Sequence, residues 1–183
     1  VESQGINSLT GIEAFTSLTS LTAYSNNISG VNLSANTALT YLSLFDNPLT
    51  SLNISQNTAL TSLLISYTQM STIDLSNNTA LTFFVCDNGQ FTSLDLSANT
   101  ALTYYNGLNN PLLTSLNIQN GNNNNLTLFN ATNNPLLTCI RVDNPTYMNT
   151  NWSAGKDAGA TYSLTCPLSI PAAALKFDGV NDR

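Results

Sequence analysis

Carboxylates are the only side chains in this sequence spaced for chemistry of their own. The 183 residues include no histidine, which removes Ser-His-Asp and Cys-His nucleophilic sites and every His-ligated metal. No Gly-rich phosphate loop is present either. Asp74 and Asp95 stand 21 residues apart in equivalent settings, "TIDLS" and "SLDLS". Glycoside hydrolysis needs two carboxylates flanking a cleft at roughly 5–9.5 Å. These two lie among Ser and Thr with no cleft implied, so a solvated face is expected, with weak calcium binding as the alternative and catalysis set aside. Asp46 and Asp87 fall on nonadjacent repeats, where the same reading holds more strongly. The expectation is a non-enzyme with no cofactor and no dedicated metal site.

The elements that carry these residues are set by repetition. "NTALT" occurs at Asn36, Asn57, Asn78 and Asn99, always 21 residues apart, and marks coils that begin at Leu18, Leu39, Leu60, Leu81, Leu102 and Leu126. Within each coil an LxxLxLxxN theme appears twice, as in "LTYLSLFDNP" followed by "LTSLNISQNTA". The period-two alternation predicts a short half-buried strand, and Asn followed by Pro, Thr or Ala predicts a turn. Each coil should therefore carry two strands, stacked on the next coil at about 4.8 Å into two parallel ladders over a leucine interior. Asn36, Asn57, Asn78 and Asn99 form one corner ladder, and Asn26, Asn47, Asn110 and Asn134 another. An Asn amide at a buried corner can donate and accept for backbone groups that the turn leaves unpaired.

This pattern resembles the leucine-rich repeats, in particular the short 21-residue bacterial class, over about residues 6–142. The opening "INSLTGIEAFTSLTSL" resembles the first repeat of internalin-type surface proteins. The resemblance implies a mainly β, right-handed leucine-rich repeat solenoid of about six 21-residue coils, with two short parallel strand ladders and a C-terminal cap. Thr68 and Gly89 depart from the corner Asn, "GNNNN" (121–125) inserts residues, and "PLLT" adds one in the last two coils; these loosen corners locally. The expected division is 1–142 for the array with its degenerate first repeat, 143–166 for the cap, and 167–183 for a Pro/Ala linker and the start of a following domain. The final "ALKFDGVNDR" resembles the first strand of laminin-G-like jelly rolls.

Three cysteines, an odd count, suggest one disulfide and one free thiol. The cap resembles those of secreted bacterial repeat proteins, which implies that Cys139 pairs with Cys166. Such a bridge implies an oxidising, extracellular setting. Cys86 takes the inward position that Leu44 holds in its own coil. It reads as a small buried hydrophobe rather than a reactive thiol.

Composition narrows the partners. Only 8% of residues are charged, and the four basic side chains, Arg141, Lys156, Lys176 and Arg183, all lie in the last quarter. With a net charge of -6, nothing neutralises phosphates, so nucleic acid and anionic membranes are poor partners. No run of 18 apolar residues exists to span a bilayer. The chain opens on "VESQGINSL" without a charged-then-apolar leader, as expected of a processed or excised secreted module.

The two outward faces differ. On the second half of each coil the residues are Ser51, Asn53, Ser55, Thr72, Asp74, Ser76, Ser93, Asp95 and Ser97, small and polar. On the first half they are Tyr24, Tyr41, Phe45, Leu64, Phe83, Val85, Asp87, Tyr104, Leu108 and Leu128, with Tyr67 at the edge. The scaffold has no need of outward apolar residues there, and a stripe over six coils marks an interaction surface. In the leucine-rich repeat family the strand ladder is commonly the ligand face. The expected function is a secreted or surface-displayed recognition and adhesion module that binds a partner protein. The alternatives are a polysaccharide, for which Asp87 and Asn106 would bond hydroxyls, and a spacer packing on a neighbouring domain or forming a homodimer.

Overall fold

Leu-x-Leu alternation produces strands of three residues in which the middle residue points inward. In the computed structural model, which describes residues 1–167, the first ladder is a parallel six-stranded sheet. Its strands are Ser20–Thr22, Tyr41–Ser43, Ser62–Leu64, Phe83–Val85, Tyr104–Asn106 and Leu128–Asn130. Register is fixed by the repeat: Leu42 pairs with Leu63, Leu63 with Phe84, and Phe84 with Tyr105. The last step joins Tyr105 to Phe129 across the inserted asparagines.

The second ladder corrects the expectation of two strands in every coil. Its strands are confined to Ser93–Asp95, Ser115–Asn117, Cys139–Arg141 and Thr161–Ser163. Ser51-Leu52-Asn53 has the same sequence as Ser115-Leu116-Asn117, yet only the latter is bonded into a sheet. Local residue type is therefore not the cause. Packing differs instead: Leu52 is 9% exposed and Ile73 only partly buried, whereas Leu94 and Leu116 are 2% and 1% exposed. The second face closes tightest where the core beneath it is aromatic.

That core is built on complementary volumes. The inward row of the first ladder reads Leu21, Leu42, Leu63, Phe84, Tyr105, Phe129, and the next inward row reads Ala23, Leu44, Ile65, Cys86, Gly107, Ala131. Where the first residue grows from Leu to an aromatic, the second shrinks to Cys, Gly or Ala, which keeps each layer near native packing density. The Tyr105 ring packs between Phe84 at 6.1 Å and Phe129 at 5.6 Å, centroid to centroid. Its hydroxyl occupies the space that a Cβ on Gly107 would need. Cys86, fully buried and unpaired, is thus the small partner of Phe84.

The corners account for "NTALT". Asn57 Nδ2 donates to the Leu33 and Asn36 carbonyls at 3.1 and 2.8 Å, and Asn78 and Asn99 repeat the same two bonds one coil further on. The amides donate but do not accept, as the Oδ1 atoms of all four ladder asparagines are buried without a partner. At the second corner Asn47 uses both ends: its Nδ2 donates to Ala23 and Leu44 while its Oδ1 accepts from the Ile28 N–H at 3.0 Å, and Asn134 Oδ1 likewise accepts from the Asn110 N–H, whereas Asn110 Oδ1 is buried without a partner. Threonine completes the motif. The hydroxyls of Thr40, Thr61, Thr82 and Thr103 each donate to the Thr carbonyl one coil back, at 3.0–3.3 Å.

Both ends of the array are finished by specific contacts. At the first end, Ser3 N–H donates to the Tyr24 carbonyl and Asn27 N–H to the Ile6 carbonyl. At the other, Cys139 and Cys166 are bridged with Cα atoms 5.7 Å apart. The cap contributes the helix Pro145–Asn151, whose N-cap Asn144 side chain accepts from Tyr147 N–H, and the last strand of the second ladder. Tyr162 packs on Phe129 at 5.9 Å and donates to the Trp152 carbonyl. Cap carboxylates replace the corner amides that a further coil would supply. Asp157 accepts from the Asn133 and Asn134 N–H groups, and Asp143 from those of Gly121 and Asn123. "GNNNN" is therefore an ordered insert: Asn120 Nδ2 continues the ladder to the Asn99 carbonyl, and Asn123 is buried. Of the expected linker and jelly-roll-like strand, 167–183, all but Pro167 lies outside the described residues.

Candidate functional site

A three-residue strand places its first and third residues outward, and the residue two further on leans over the same face. On the first ladder these positions form three rows running across the coils. One holds Tyr41, Ser62, Phe83, Tyr104 and Leu128; the next Ser43, Leu64, Val85 and Asn106; the third Tyr24, Phe45, Ser66, Asp87 and Leu108. Neighbouring coils bring like rings together. Tyr24 stacks on Phe45 at 4.5 Å and 9°, and Phe83 on Tyr104 at 4.1 Å and 17°. Every apolar residue of the stripe is half-buried, and outward-placed Ser43, between Tyr41 and Phe45 on one coil, is 1% exposed.

The two stacks are separated by the coil that carries Ser62, Leu64 and Ser66. The face is therefore two aromatic ridges with a coil free of rings, Ser62, Leu64 and Ser66, as a saddle between them. Its polar groups are mostly engaged within the chain. The Asp87 carboxylate accepts from Ser66 Oγ and Asn88 Nδ2, both at 2.6 Å. Asn106 Oδ1 is buried. The Tyr24 hydroxyl donates to Glu2, and that bond, more than any burial, pushes its pKa up.

Compared with solved structures, the chain is similar to the functional domain of InlJ from Listeria monocytogenes, which includes a cysteine ladder. The two share 30% identity at a TM-score of 0.72, over 91% of this chain and 40% of that one. The chain is a leucine-rich repeat solenoid. It also shares the fold of an internalin, InlF, from Listeria monocytogenes at 18% identity and a TM-score of 0.50, covering 75% of this chain and 39% of that one. The solenoid thus spans about two fifths of the internalin chains it matches. No protein-family model and no curated protein matches it. This leucine-rich repeat chain has ladders of asparagine and threonine and, rather than a cysteine ladder, a single unpaired cysteine, Cys86.

The carboxylates of the second face are turn-formers. Asp74 Oδ1 accepts from Ser76 N–H and Asp95 Oδ1 from Ser97 N–H, as Asn32, Asn53 and Asn117 do for the residues two ahead of them. The Ser76 N–H, the main cause, holds the Asp74 carboxyl below its ordinary range. Asp95 lines a shallow groove with Asn117 and Arg141 that Asp74 does not reach. Among the described residues no group of three His, Cys, Asp or Glu side chains is placed to hold a metal, and no helix is long and apolar enough to cross a membrane. Burial pushes the Cys86 thiol well up, which keeps it protonated and poorly nucleophilic. The Tyr105 hydroxyl beside it makes no hydrogen bond of ordinary geometry, and burial pushes it up as well.

One feature of the repeat was hidden in the sequence. The residue before each second-corner position lies in the left-handed region: Ser25, Asp46, Tyr67, Asn88, Asn109 and Asn133, with φ of 53–58°. Ser, Asp and Asn tolerate this conformation through short polar side chains, whereas a bulky aromatic there is a genuine outlier. Tyr67 is that outlier. It is 58% exposed on the corner rather than on the strand face.

Proposed function

We propose that this chain is a non-catalytic recognition and adhesion module of a secreted or surface-displayed bacterial protein, which docks a partner protein through the strand face. The binding surface comprises Tyr41, Phe45, Phe83 and Tyr104 at its centre, with Tyr24, Leu64, Val85, Asp87, Asn106 and Leu108 around them. The observation that carries this reading is the pair of ring stacks, Tyr24–Phe45 and Phe83–Tyr104, standing either side of the Ser62/Leu64/Ser66 coil. Stacked rings are already ordered, so they offer contact area at little further entropy cost, the property of hot-spot anchors. The saddle gives a partner side chain somewhere to enter between them.

A polysaccharide fits this face less well. Asp87 has both carboxylate oxygens occupied within the chain and Asn106 has its oxygen buried, leaving few free groups for sugar hydroxyls. The net charge of -6, with no basic residue before Arg141, argues against nucleic acid. The disulfide and the internalin neighbours support an extracellular location. A second copy of the chain remains a candidate for the same apolar ridges. The test is binding of a candidate partner by the wild type and by a Tyr41→Ser/Phe83→Ser variant, with solution mass measured on both. Loss of partner binding at unchanged mass supports the reading, and a wild-type dimer that the variant loses replaces it with self-association.

A further inference from the structure

We infer that the corner groove around Tyr67 is a subsite for a neutral saccharide, separate from the strand face. The groove, of about 470 Å³, is lined by Asn27, Asp46, Pro48, Tyr67, Gln69 and Asn88 on successive coils, and lies within the size range of small-ligand sites, roughly 300–1,000 Å³. Three observations converge there. The Tyr67 ring is 58% exposed and lies at φ 54°, in a row otherwise held by Ser, Asp and Asn. The fold gains no core packing from this ring, so the strained placement needs another reason. Its hydroxyl makes no hydrogen bond to a described residue.

The second observation is free polar capacity. The side chains of Asn27, Asp46 and Gln69 make no hydrogen bond to any described residue, although their backbone N–H groups are all bonded. On the second face, by contrast, Asn32, Asn53, Asp74, Asp95 and Asn117 each close a turn. Two amides and a carboxylate beside an open ring match a pyranose, whose C–H face packs on the aromatic while its hydroxyls bond the amides and the acid. The third is charge. Asp46 is in the groove and the first basic residue in sequence is Arg141, so uronates, sulfated sugars and sialic acids are repelled.

The experiment titrates the whole chain with cellohexaose, laminarihexaose and chitohexaose, with oligogalacturonate as the anionic control and oligolysine as a cationic one. Binding of at least one neutral hexamer is expected, weakened about tenfold or more by Tyr67→Asn. The same variant should melt at a higher temperature than the wild type, because Asn relieves the left-handed strain, so lost binding cannot be ascribed to misfolding. Asp46→Asn, which keeps the shape of the side chain and one acceptor oxygen, should weaken binding less. Tyr41→Ser/Phe83→Ser should leave saccharide binding intact, which separates this site from the strand-face reading. Absence of binding to all three neutral hexamers at millimolar concentration overturns the inference. So does binding that only the strand-face variant loses, or binding of oligolysine alone.

Discussion

The hydroxyl of Tyr105 fills the place that a side chain at Gly107 would take, two residues along the same coil. Ring and glycine form one volume, as Phe84 does with Cys86 and Phe129 with Ala131. Gly107→Ala should destabilise the chain by about 1–3 kcal/mol through overpacking. Tyr105→Leu should restore much of that loss in the double variant, which denaturant melts of the four proteins would measure as a coupling energy.

Asparagine at the inner corner is worth more than asparagine on the surface. Asn78→Ala removes the buried bonds to the Ile54 and Asn57 carbonyls and should cost about 1–3 kcal/mol. Asn53→Ala, which loses only an exposed turn bond, should stay within about 0.5 kcal/mol of the wild type. Equal losses in urea melts would contradict the ladder account.

The corner at Tyr67 should behave oppositely to a core residue. Tyr67→Asn should raise stability by about 1 kcal/mol, since Asn adopts the left-handed conformation with less strain. A fall in stability would mean that the ring packs on something the fold needs.

Stability should be flat through neutral pH and fall in alkali. There is no histidine to titrate. Burial raises Cys86 from an ordinary value of 9.0 and Tyr105 from 10.0. Above about pH 9 the unfolded chain therefore releases protons that the folded chain retains, so the unfolded state binds fewer protons and stability declines. Cys86→Ala should remove the earlier part of this decline, leaving its onset nearer pH 10, in melts run across the alkaline range.

The cap bridge closes a loop with a sequence separation of 27 and should contribute about 3–4 kcal/mol. Paired Cys139→Ser/Cys166→Ser substitution, or reduction of the wild type, should lower the urea midpoint by the corresponding amount. A midpoint unchanged by both treatments would mean that Phe129 and Tyr162 already hold the cap.

Much of this was legible in the sequence. Leu39, Asn57 and their equivalents gave the period, the register and the inward rows, and the inward place of Cys86 followed from its alignment with Leu44. The threonine hydroxyl ladder was also open to view, in the Thr that follows the coil Leu in "NTALT", but its bond to the carbonyl one coil back depends on stacking. Other features depend on three-dimensional setting. Ser51-Leu52-Asn53 and Ser115-Leu116-Asn117 are identical strings with different pairing. The left-handed row is marked only by its Asp and Asn members, so Tyr67 reads in sequence as an edge of the aromatic stripe. That Asp87 is already bonded while Asp46 is not became visible only with Ser66 and Asn88 beside it.

The central claim is that the strand face centred on Tyr41, Phe45, Phe83 and Tyr104 forms the protein-contact surface. The most direct measurement is affinity of a partner protein, identified with the wild-type chain, for three versions of the chain. These are the wild type, Tyr41→Ser/Phe83→Ser on the strand face, and Asn53→Ala/Asp74→Ala on the opposite face, all checked for unchanged melting. The account predicts wild-type affinity for the opposite-face variant and a loss of about tenfold or more for the strand-face variant. Unchanged affinity in the strand-face variant, or a loss confined to the opposite-face one, would contradict it.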